Sequence, residues 1–495
     1  MKLKKILSGV DDCLVKGSKD IFITGITSNS KWVAPGNLFI AKKGKTYDGG
    51  QFIFEAIRAG ASAIVTDLYD PSMRQVVQII HPNASSIESL LAANYYQHPS
   101  RDLLMVAITG TNGKTTTSFL IKNLLDEIMG PCGLIGTIEY ITGKNRHPAN
   151  RTTPDVITNQ KILREMVAHG CQAGVMEVSS HALDQGRVEN IEFDVAIFSN
   201  LTLDHLDYHQ SMENYAMAKR KLFQEIGKGK LKKRRAPWAI INHDSPWASF
   251  MIEGCSANLL SYGIAPSADL RASDIRLEKG GTRAKVIYKH QVEECFWPLV
   301  GRFNVYNCLA AMAVPLSLGI PLHVASQLMS KVGFVRGRLQ PVKNDLGLQI
   351  YVDFAHSDDA LLNVLMTLRE IQQEAGRLIV VFGCGGDRDR LKRPKMGEVS
   401  DRYADFSILT SDNPRSEDPL KICEEIARGF SREHMYEIEI DRKEAIKKGV
   451  ERAHPQDILL IAGKGHEAYQ VFADQTIEFD DCKVTAEICA SLKNG

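Results

Sequence analysis

The sequence predicts an α/β protein built from three segments. Short apolar runs of strand length alternate with helical stretches along the chain, which is typical of parallel sheets covered by helices on both faces. A glycine- and threonine-rich loop joins one such strand to a helix. The chain has 495 residues, and at about 150 residues per domain this length suggests three domains. We place their boundaries at residues 1–99, 100–335 and 336–495.

The first segment is expected to be a small α/β domain. Strand-like runs occur at 21–23, 38–40 and 63–65, and a helical stretch at 52–59 precedes the last of them. Residues 94–101 contain His98-Pro99-Ser100 and are expected to form a linker.

The second segment is expected to hold a parallel sheet. It opens with an apolar strand at 103–108, followed by a helix at 116–127. Further strands are expected at 173–178, 195–200 and 238–242. In the third segment, strands expected at 378–382, 406–410 and 458–462 alternate with helices, which indicates a second nucleotide-binding-like α/β unit.

Composition and charge exclude several classes of protein. Sixty basic and 59 acidic residues leave a net charge of +1, so no general attraction to nucleic acid or membrane is expected. The basic run at 227–235 is interpreted as a solvated loop. Ten cysteines without a Cys-x-x-Cys pair indicate buried thiols instead of a zinc site or disulfides. With neither a signal-peptide core nor an 18-residue apolar run, the protein is expected to be cytoplasmic, without membrane insertion.

The loop Gly110-Thr111-Asn112-Gly113-Lys114-Thr115-Thr116 is the strongest single motif. Its glycines let backbone N–H groups surround phosphate oxygens, and the following helix adds its positive N-terminus. Lys114 can reach the outer phosphates, while the Thr115 hydroxyl can bind magnesium. The spacing is a shortened form of the common phosphate-binding loop, because Ile108 stands where that loop has its first glycine. ATP binding is therefore predicted.

Polar groups follow the next two expected strands, at the sheet edge where ligands of open parallel sheets collect. Glu177 ends one strand and is a candidate magnesium ligand. Asp204, His205 and Asp207 follow the other strand and together suit metal or substrate better than a purely structural role. Thr152, Thr153, Gln185 and Arg187 suit an anionic substrate by residue type, since arginine binds carboxylates and phosphates in a two-pronged manner.

These motifs together resemble the Mur ligases of peptidoglycan precursor synthesis, and the resemblance spans nearly the whole chain. It rests on 110–116, 177–181, 200–207, 216–219, 301–307, 337–338, 352–356, 383–389, 412–415 and 462–467. The resemblance implies a smaller N-terminal UDP-binding α/β domain, a central ATPase domain with a parallel sheet of phosphate-loop type, and a C-terminal Rossmann-like domain. It implies an ATP-dependent amide ligase whose acceptor, a UDP-N-acetylmuramoyl dipeptide, is activated as an acyl phosphate. A monomer is expected.

The resemblance also implies roles for individual residues. The UDP end of the acceptor substrate would be bound by Ser28, Ser30, Lys45, Thr46 and Tyr47. Its muramoyl-dipeptide end would be bound by Thr152, Thr153, Ser179, Gln185 and Arg187. ATP would contact the 110–116 loop together with Asn304, Asn307, Arg338, Asp353 and His356. The magnesium ligands would be Thr115, Glu177, His205 and Lys219, with Lys219 carbamylated to a carboxylate-like group; Lys114, Glu177, His205 and Lys219 would form the catalytic set.

Arg415 bears on which amino acid is added. Diaminopimelate carries an amino-acid head group at the far end of its side chain, where lysine has only an amine. A guanidinium pairs with that distal carboxylate and repels the ammonium of lysine. The resemblance is accordingly to diaminopimelate-adding members, with the amino-acid pocket completed by Arg388, Asp412, Asn413, Pro414, Gly463 and Glu467.

Three departures from the family pattern occur at Asn29-Ser30-Lys31, at Gln340 and at Ser357-Asp358-Asp359. The first leaves the uridine contacts open. The alternatives are a sister ligase that adds lysine or glutamate and, from another class, a phosphate-loop motor or GTPase. The chain lacks the Asn-Lys-x-Asp base-reading signature of GTPases, and its near-neutral charge disfavours a nucleic-acid motor.

Overall fold

The computed structural model describes residues 1–44, 48–228, 236–278, 280–372 and 375–494. The chain divides into two compact units. The first comprises Met1–Arg271 and Leu309–Ala325, and the second comprises Ala272–Cys308 and Ser326–Gly495. The three-domain boundaries expected from the sequence stay a prediction.

The N-terminal part of the first unit is a five-stranded sheet with three helices. Its elements are α1 (Leu3–Ile6), β1 (Leu14–Lys16), β2 (Ile26–Thr27), β3 (Leu38–Ile40), α2 (Ile53–Arg58), β4 (Ala63–Thr66), β5 (Val77–Ile80) and α3 (Ala84–Tyr95). The strand order is β1-β5-β4-β3-β2, with β2 to β5 parallel and β1 antiparallel. Leu38, Val65 and Ile79 form its core with Leu91 of α3.

Two expectations for this region were wrong. Residues 21–23 form no strand of the sheet, because their backbone hydrogen bonds join Met1 and Leu3, and only an isolated bridge links Phe22 to Lys2. The expected linker at 94–101 is structured, since α3 extends to Tyr95 and Pro99–Arg101 forms a 3-10 turn. The Asn94 amide donates to two N-terminal carbonyl groups, which ties this end of α3 to the start of the chain.

The rest of the first unit is a larger sheet flanked by helices. Its elements are β6 (Leu104–Thr109), α4 (Lys114–Met129), β7 (Cys132–Ile135), β8 (Glu139–Thr142), β9 (Asn145–Pro148), α5 (Val156–Ala168), β10 (Ala173–Glu177), α6 (Ser180–Asp184), β11 (Val195–Phe198), α7 (Leu206–His209), α8 (Met212–Glu225), β12 (Trp238–Asn242), α9 (Ala248–Ile252), β13 (Asn258–Gly263) and the start of β14 (Leu270–Glu278). Strands β7-β10-β6-β11-β12-β13 are parallel neighbours in this order. Glu177 pairs with Ile108, and Phe198 with Thr109, so three strands end at one edge.

The second unit contains an antiparallel hairpin, β15 (Gly281–Tyr288) and β16 (Gln291–Trp297), and a six-stranded sheet. Helix α10 (Arg302–Ser317) begins in this unit. Helix α11 (Leu322–Met329) ends in this unit. The remaining elements are β17 (Gln340–Pro341), β18 (Gln349–Asp353), α12 (Asp358–Ile371), β19 (Leu378–Phe382), α13 (Lys392–Tyr403), β20 (Phe406–Leu409), α14 (Pro419–Ala427), β21 (Tyr436–Ile438), α15 (Arg442–Arg452), β22 (Ile458–Ala462), β23 (Tyr469–Val471), β24 (Thr476–Glu478) and α16 (Asp481–Asn494). The sheet order is β17-β18-β22-β19-β20-β21, parallel except for β17.

The predicted fold class is confirmed: the protein is α/β with parallel sheets. The expected strands at 238–242, 378–382 and 458–462 have the bounds of β12, β19 and β22. No helix among the described residues has the length and apolar character needed to cross a membrane.

Candidate active site

The phosphate loop lies at the edge where β6, β10 and β11 end. Gly110 has φ +151°, and a Cβ there would overlap the Ser199 hydroxyl and press on the Asn200 backbone, so only glycine fits. Asn200 supports the loop by accepting from Thr111 N at 2.9 Å through its backbone carbonyl and from Asn112 N at 2.9 Å through its side chain. The loop is therefore a preformed turn.

The side chains that follow the loop belong to the first turn of α4. The Lys114 ammonium lies over the loop and donates to the carbonyls of Gly110 at 3.0 Å and Thr111 at 2.8 Å. Thr115 and Thr116 are buried at the start of the helix. The positive end of α4 and the Lys114 charge both favour an anion here.

Glu177 ends β10 with a fully buried carboxylate. It accepts hydrogen bonds from the Thr115 hydroxyl at 2.9 Å and from Thr137 through N at 3.0 Å and Oγ1 at 2.9 Å. The structure thus joins the two predicted magnesium ligands Thr115 and Glu177 directly. An all-oxygen donor set of this kind fits Mg²⁺, a hard cation that takes few protein ligands.

Lys219 is 1% exposed and lies on α8. Its ammonium nitrogen is 2.8 Å from the Gly110 carbonyl oxygen and 4.6 Å from the centre of the Tyr215 ring. Burial, reinforced by the nearby Lys114 charge, lowers the pKa of Lys219 well below that of an exposed lysine. Lys219 is therefore not an ordinary surface lysine.

His205 lies in the loop between β11 and α7, in a cluster of aromatic and histidine rings. Its ring centre is 4.9 Å from that of His181 and 6.1 Å from that of Tyr215, the residue beneath Lys219. Burial lowers the pKa of His205, and Asp204, 3.4 Å away, opposes that shift. Within the described ranges, no group of three or more His, Cys, Asp or Glu side chains is arranged to hold a metal ion.

The residues expected to hold the muramoyl-dipeptide end form one connected group. Thr153 Oγ1 accepts from Ser179 N at 3.0 Å, and the Thr153 carbonyl accepts from Arg187 at 3.0 Å. Arg187 also donates to Gln185 Oε1 at 2.6 Å. Thr152 lies 3.1 Å from the Thr137 hydroxyl, which links this group to Glu177.

The residues expected at the UDP end belong to the N-terminal sheet. Ser30 is buried at the start of a 3-10 turn and Ser28 is half-buried. Asn29, where the family pattern has aspartate, caps this turn by accepting from Lys31 N at 3.1 Å. Lys45, Thr46 and Tyr47 lie outside the described residues.

Five predicted ATP-binding residues lie in the second unit. Asn304 and Asn307 are buried in the first turns of α10, joined by a 2.9 Å hydrogen bond. Asp353 ends β18 and accepts from Leu339 N at 2.7 Å and Ala355 N at 2.8 Å, while burial raises its pKa. Arg338 lies over the Phe354 ring, and His356 accepts a 2.7 Å hydrogen bond from Lys392 through its carbonyl.

The predicted amino-acid pocket is formed by three loops that follow β19, β20 and β22. Arg415 has φ +52° and donates through Nη1 to the Gly386 carbonyl at 2.7 Å. Asn413 donates to Glu467 Oε2 at 2.8 Å. Gly463 has φ +111°, and a Cβ there would come within 2.6 Å of Asp412 Oδ2. Arg388 and Pro414 lie on the first two of these loops, so the structure brings all seven predicted residues together.

Three residues of these clusters were not predicted as site residues. Thr137 makes two hydrogen bonds to Glu177. Tyr215 lies between Lys219 and His205 and contacts the Thr111 hydroxyl at 3.1 Å. Lys464 is fully buried beside Asn413. Lys464 belongs to the 462–467 motif, which could have indicated it, whereas Thr137 and Tyr215 belong to none of the motifs.

The chain matches three family models: "Mur ligase family, catalytic domain" over 22–100, "Mur ligase middle domain" over 108–315 and "Mur ligase, glutamate ligase domain" over 337–465. It is 46% identical over 494 residues to a protein of Chlamydia felis named UDP-N-acetylmuramoyl-L-alanyl-D-glutamate–2,6-diaminopimelate ligase, covering 99% of this chain and 100% of that one. The chain belongs to the Mur ligase family. It is therefore a ligase of an ATP-using family.

Two further comparisons agree with this Mur ligase assignment, and a third protein shares the fold. A protein of the same name from Caldanaerobacter subterraneus is 40% identical, with 99% of both chains covered. A solved structure of a UDP-N-acetylmuramoyl-L-alanyl-D-glutamate–2,6-diaminopimelate ligase is 32% identical, with a TM-score of 0.70 and 95% of both chains covered. The MurF ligase of Thermotoga maritima in complex with ADP shares the fold at 20% identity and a TM-score of 0.65, with 95% of this chain and 98% of that chain covered.

Proposed function

We propose that this Mur ligase joins meso-diaminopimelate to the D-glutamate γ-carboxylate of UDP-N-acetylmuramoyl-L-alanyl-D-glutamate, with conversion of ATP to ADP and phosphate. The observation that carries the choice of amino acid is the Arg415 guanidinium in a loop cluster that also holds the Glu467 carboxylate. A cation and an anion in one pocket complement the carboxylate and ammonium at the far end of diaminopimelate. The relatives named for this reaction support the same choice.

The state of Arg415 suits this role. Its Nη1 donates to backbone carbonyls of Gly386 and Asn413. No carboxylate in the described part of the chain forms an ion pair with it. The guanidinium is thus held in place by neutral carbonyl acceptors, which leaves it able to pair with a substrate carboxylate.

The first chemical step activates the acceptor. The γ-carboxylate oxygen attacks the γ-phosphorus of ATP, ADP leaves, and an acyl phosphate forms. The phosphate loop and Lys114 hold the polyphosphate and offset its charge, so the protein acts by positioning and electrostatics. Thr153, Ser179 and Arg187 would hold the dipeptide end of the acceptor.

In the second step the diaminopimelate amine attacks the carbonyl carbon of the acyl phosphate. A tetrahedral intermediate forms, the amine loses a proton, and phosphate leaves as the amide is made. Asn413, Arg415 and Glu467 would hold the distal end of the amino acid, which orients its reacting amine.

Thr115, Glu177 and His205 would hold Mg²⁺, and a carbamylated Lys219 would help to hold a second ion. When bound, the cation offsets the charge that develops on the phosphoryl oxygens. The burial that lowers the Lys219 pKa supports carbamylation, because only the neutral amine can add to carbon dioxide. Asn304, Asn307, Arg338, Asp353 and His356 would complete the ATP site. Cytoplasmic location and a monomeric state stay predictions.

The proposal is tested by phosphate release from purified protein supplied with ATP and the UDP-muramoyl dipeptide. Diaminopimelate, L-lysine and L-glutamate are compared as acceptor amines, and we expect release with diaminopimelate only. Release with lysine instead would identify a sister ligase. Release with no amino acid would contradict the proposal, as would ATP turnover that does not require the dipeptide.

A further inference from the structure

Lys464 is a fully buried cation in the loop that follows β22. Its side chain is 0% exposed, and neither step of the proposed reaction uses it. Burying an ammonium group is costly unless partners compensate it, so such a lysine is uncommon in a protein interior. Its partners therefore indicate what the charge does.

Those partners are two residues of the amino-acid pocket. The Lys464 ammonium donates to Asn413 Oδ1 at 3.1 Å and lies 3.4 Å from Glu467 Oε2. Asn413 in turn donates from Nδ2 to the same Glu467 oxygen at 2.8 Å. The three side chains form a closed triangle.

This triangle determines the orientation of the Asn413 amide. Its Oδ1 accepts from Lys464 and also from Val471 N at 3.0 Å, so Nδ2 must face Glu467. Without the Lys464 ammonium, Oδ1 would keep only the Val471 N–H as a donor. The orientation of a side-chain amide depends on such donors and acceptors.

The triangle also determines how Glu467 is presented. Both donors engage Oε2, and the side chain is 21% exposed. Its other oxygen, Oε1, is thereby left to receive an ammonium group. The Lys464 charge also offsets the Glu467 charge, so Arg415 keeps its attraction for a carboxylate.

We propose that Lys464 is a positioning residue of the amino-acid pocket, whose buried ammonium holds Asn413 and Glu467 in the arrangement that receives the distal amino-acid group of the substrate. This inference rests on the proposed function. Lys464 acts through its neighbours and does not itself touch the reacting atoms.

The test compares steady-state constants of Lys464→Met and the parent enzyme for all three substrates. We expect KM for diaminopimelate to rise about 10- to 100-fold, the range expected for losing a hydrogen bond to a charged group. The KM values for ATP and the UDP-dipeptide should change less than about twofold and kcat less than about threefold, since the phosphate loop is untouched. Lys448→Met, which removes a surface lysine paired with Glu439, is the control.

Lys464→Arg keeps the charge and should show a smaller rise in KM, confined to diaminopimelate. If Lys464→Met does not fold, the KM values of Lys464→Arg for the three substrates provide the test. An unchanged KM for diaminopimelate would overturn the inference. A rise shared by all three substrates would overturn it too, because it would indicate a general structural role. Absence of diaminopimelate-dependent phosphate release from the parent enzyme would instead contradict the proposed function.

Discussion

The guanidinium of Arg415 is the side chain whose loss has the clearest expected effect on selectivity. Arg415→Ala removes a cation that the surrounding carbonyls of Gly386 and Asn413 hold in place. We expect the kcat/KM for diaminopimelate to fall about 10- to 100-fold, while that for lysine rises or stays level because a repulsion is removed. Arg428→Ala, an exposed arginine after α14, is the control and should behave as the parent. An equal loss with both amino acids would contradict the assignment.

Lys219 is expected to make the enzyme dependent on carbon dioxide. Its lowered pKa raises the share of the neutral amine, which is the form that can add to carbon dioxide to give a carbamate. Phosphate release should therefore decline in buffer freed of carbon dioxide and recover on addition of bicarbonate. Lys219→Met should be inactive and insensitive to bicarbonate, whereas Lys161→Met, at an exposed position on α5, should respond as the parent does. A bicarbonate-independent parent enzyme would speak against carbamylation.

The loop between β6 and α4 requires glycine at position 110, and Gly130 after α4 offers a matched comparison. Gly110→Ala would drive a methyl group into Ser199 and Asn200, displacing the loop, and we expect about a 100-fold loss of kcat/KM for ATP. Gly130, just after α4, also has a positive φ of +97°, but a Cβ there meets only Gln172, at 3.8 Å. Gly130→Ala should therefore cost stability alone, about 1–2 kcal/mol. Equal activity of both variants would contradict the inference that a side chain at position 110 displaces the loop.

An ion-pair network braces the loops that carry Arg388 and Arg415. Arg393 is 0% exposed and donates to Glu417 at 2.8 and 2.9 Å and to Glu425 at 2.8 Å. The hydrogen bond from Arg393 lowers the Glu417 pKa from 4.5 to about 2. A carboxylate with a lowered pKa stabilises the folded state above its unfolded pKa, and the stabilisation is lost as pH falls toward its folded pKa.

Glu417→Gln should consequently lower the free energy of unfolding at pH 7 by about 1.5–3 kcal/mol. The difference in free energy of unfolding between Glu417→Gln and the parent should decrease as pH falls below 4.5 toward 2, because Glu417 of the parent then becomes protonated. Urea unfolding of both proteins at pH 7, 5, 4 and 3 measures the two free energies of unfolding in this range. Glu424→Gln, at an exposed position on α14, is the control. A constant difference across that range would exclude the proposed contribution of the Glu417 charge.

Helices α15 and α16 contact the elements that carry the predicted amino-acid pocket. Arg442 and Asp481 form a fully buried ion pair with two contacts of 2.8 Å. The Arg442 guanidinium also donates to the Ser411 and Ala462 carbonyls, at the ends of β20 and β22. The elements that present Asn413 and Lys464 are thus fixed to helices distant in sequence.

The protein is expected to be a monomer in solution. Light scattering after gel filtration should give the mass of one chain with and without substrates. A stable dimer mass at micromolar concentration would contradict this expectation.

Much of the fold followed from local pattern. The buried strands β12, β19 and β22 are continuous apolar runs, so their bounds could be predicted. The hairpin of β15 and β16 was not predicted, because its mixture of exposed and buried residues forms no continuous apolar run of the kind seen in β12, β19 and β22. The strand predicted at residues 21–23 is absent because their backbone hydrogen bonds join the start of the chain. Local composition does not indicate which partner such a segment pairs with.

The sequence by itself determined the α/β class, the phosphate loop at 110–116, the family and the residue types of each expected pocket, because these depend on periodicity and short spacing. Only the tertiary structure decided that Lys219 is buried beside Gly110, that Thr137 completes the Glu177 site, and that Lys464 joins Asn413 to Glu467. Those contacts join residues tens of positions apart. A side chain becomes buried and gains charged neighbours only when the strands of the folded sheet end at a common edge. Burial and neighbouring charge then give Lys219 and Lys464 properties that an exposed lysine does not have.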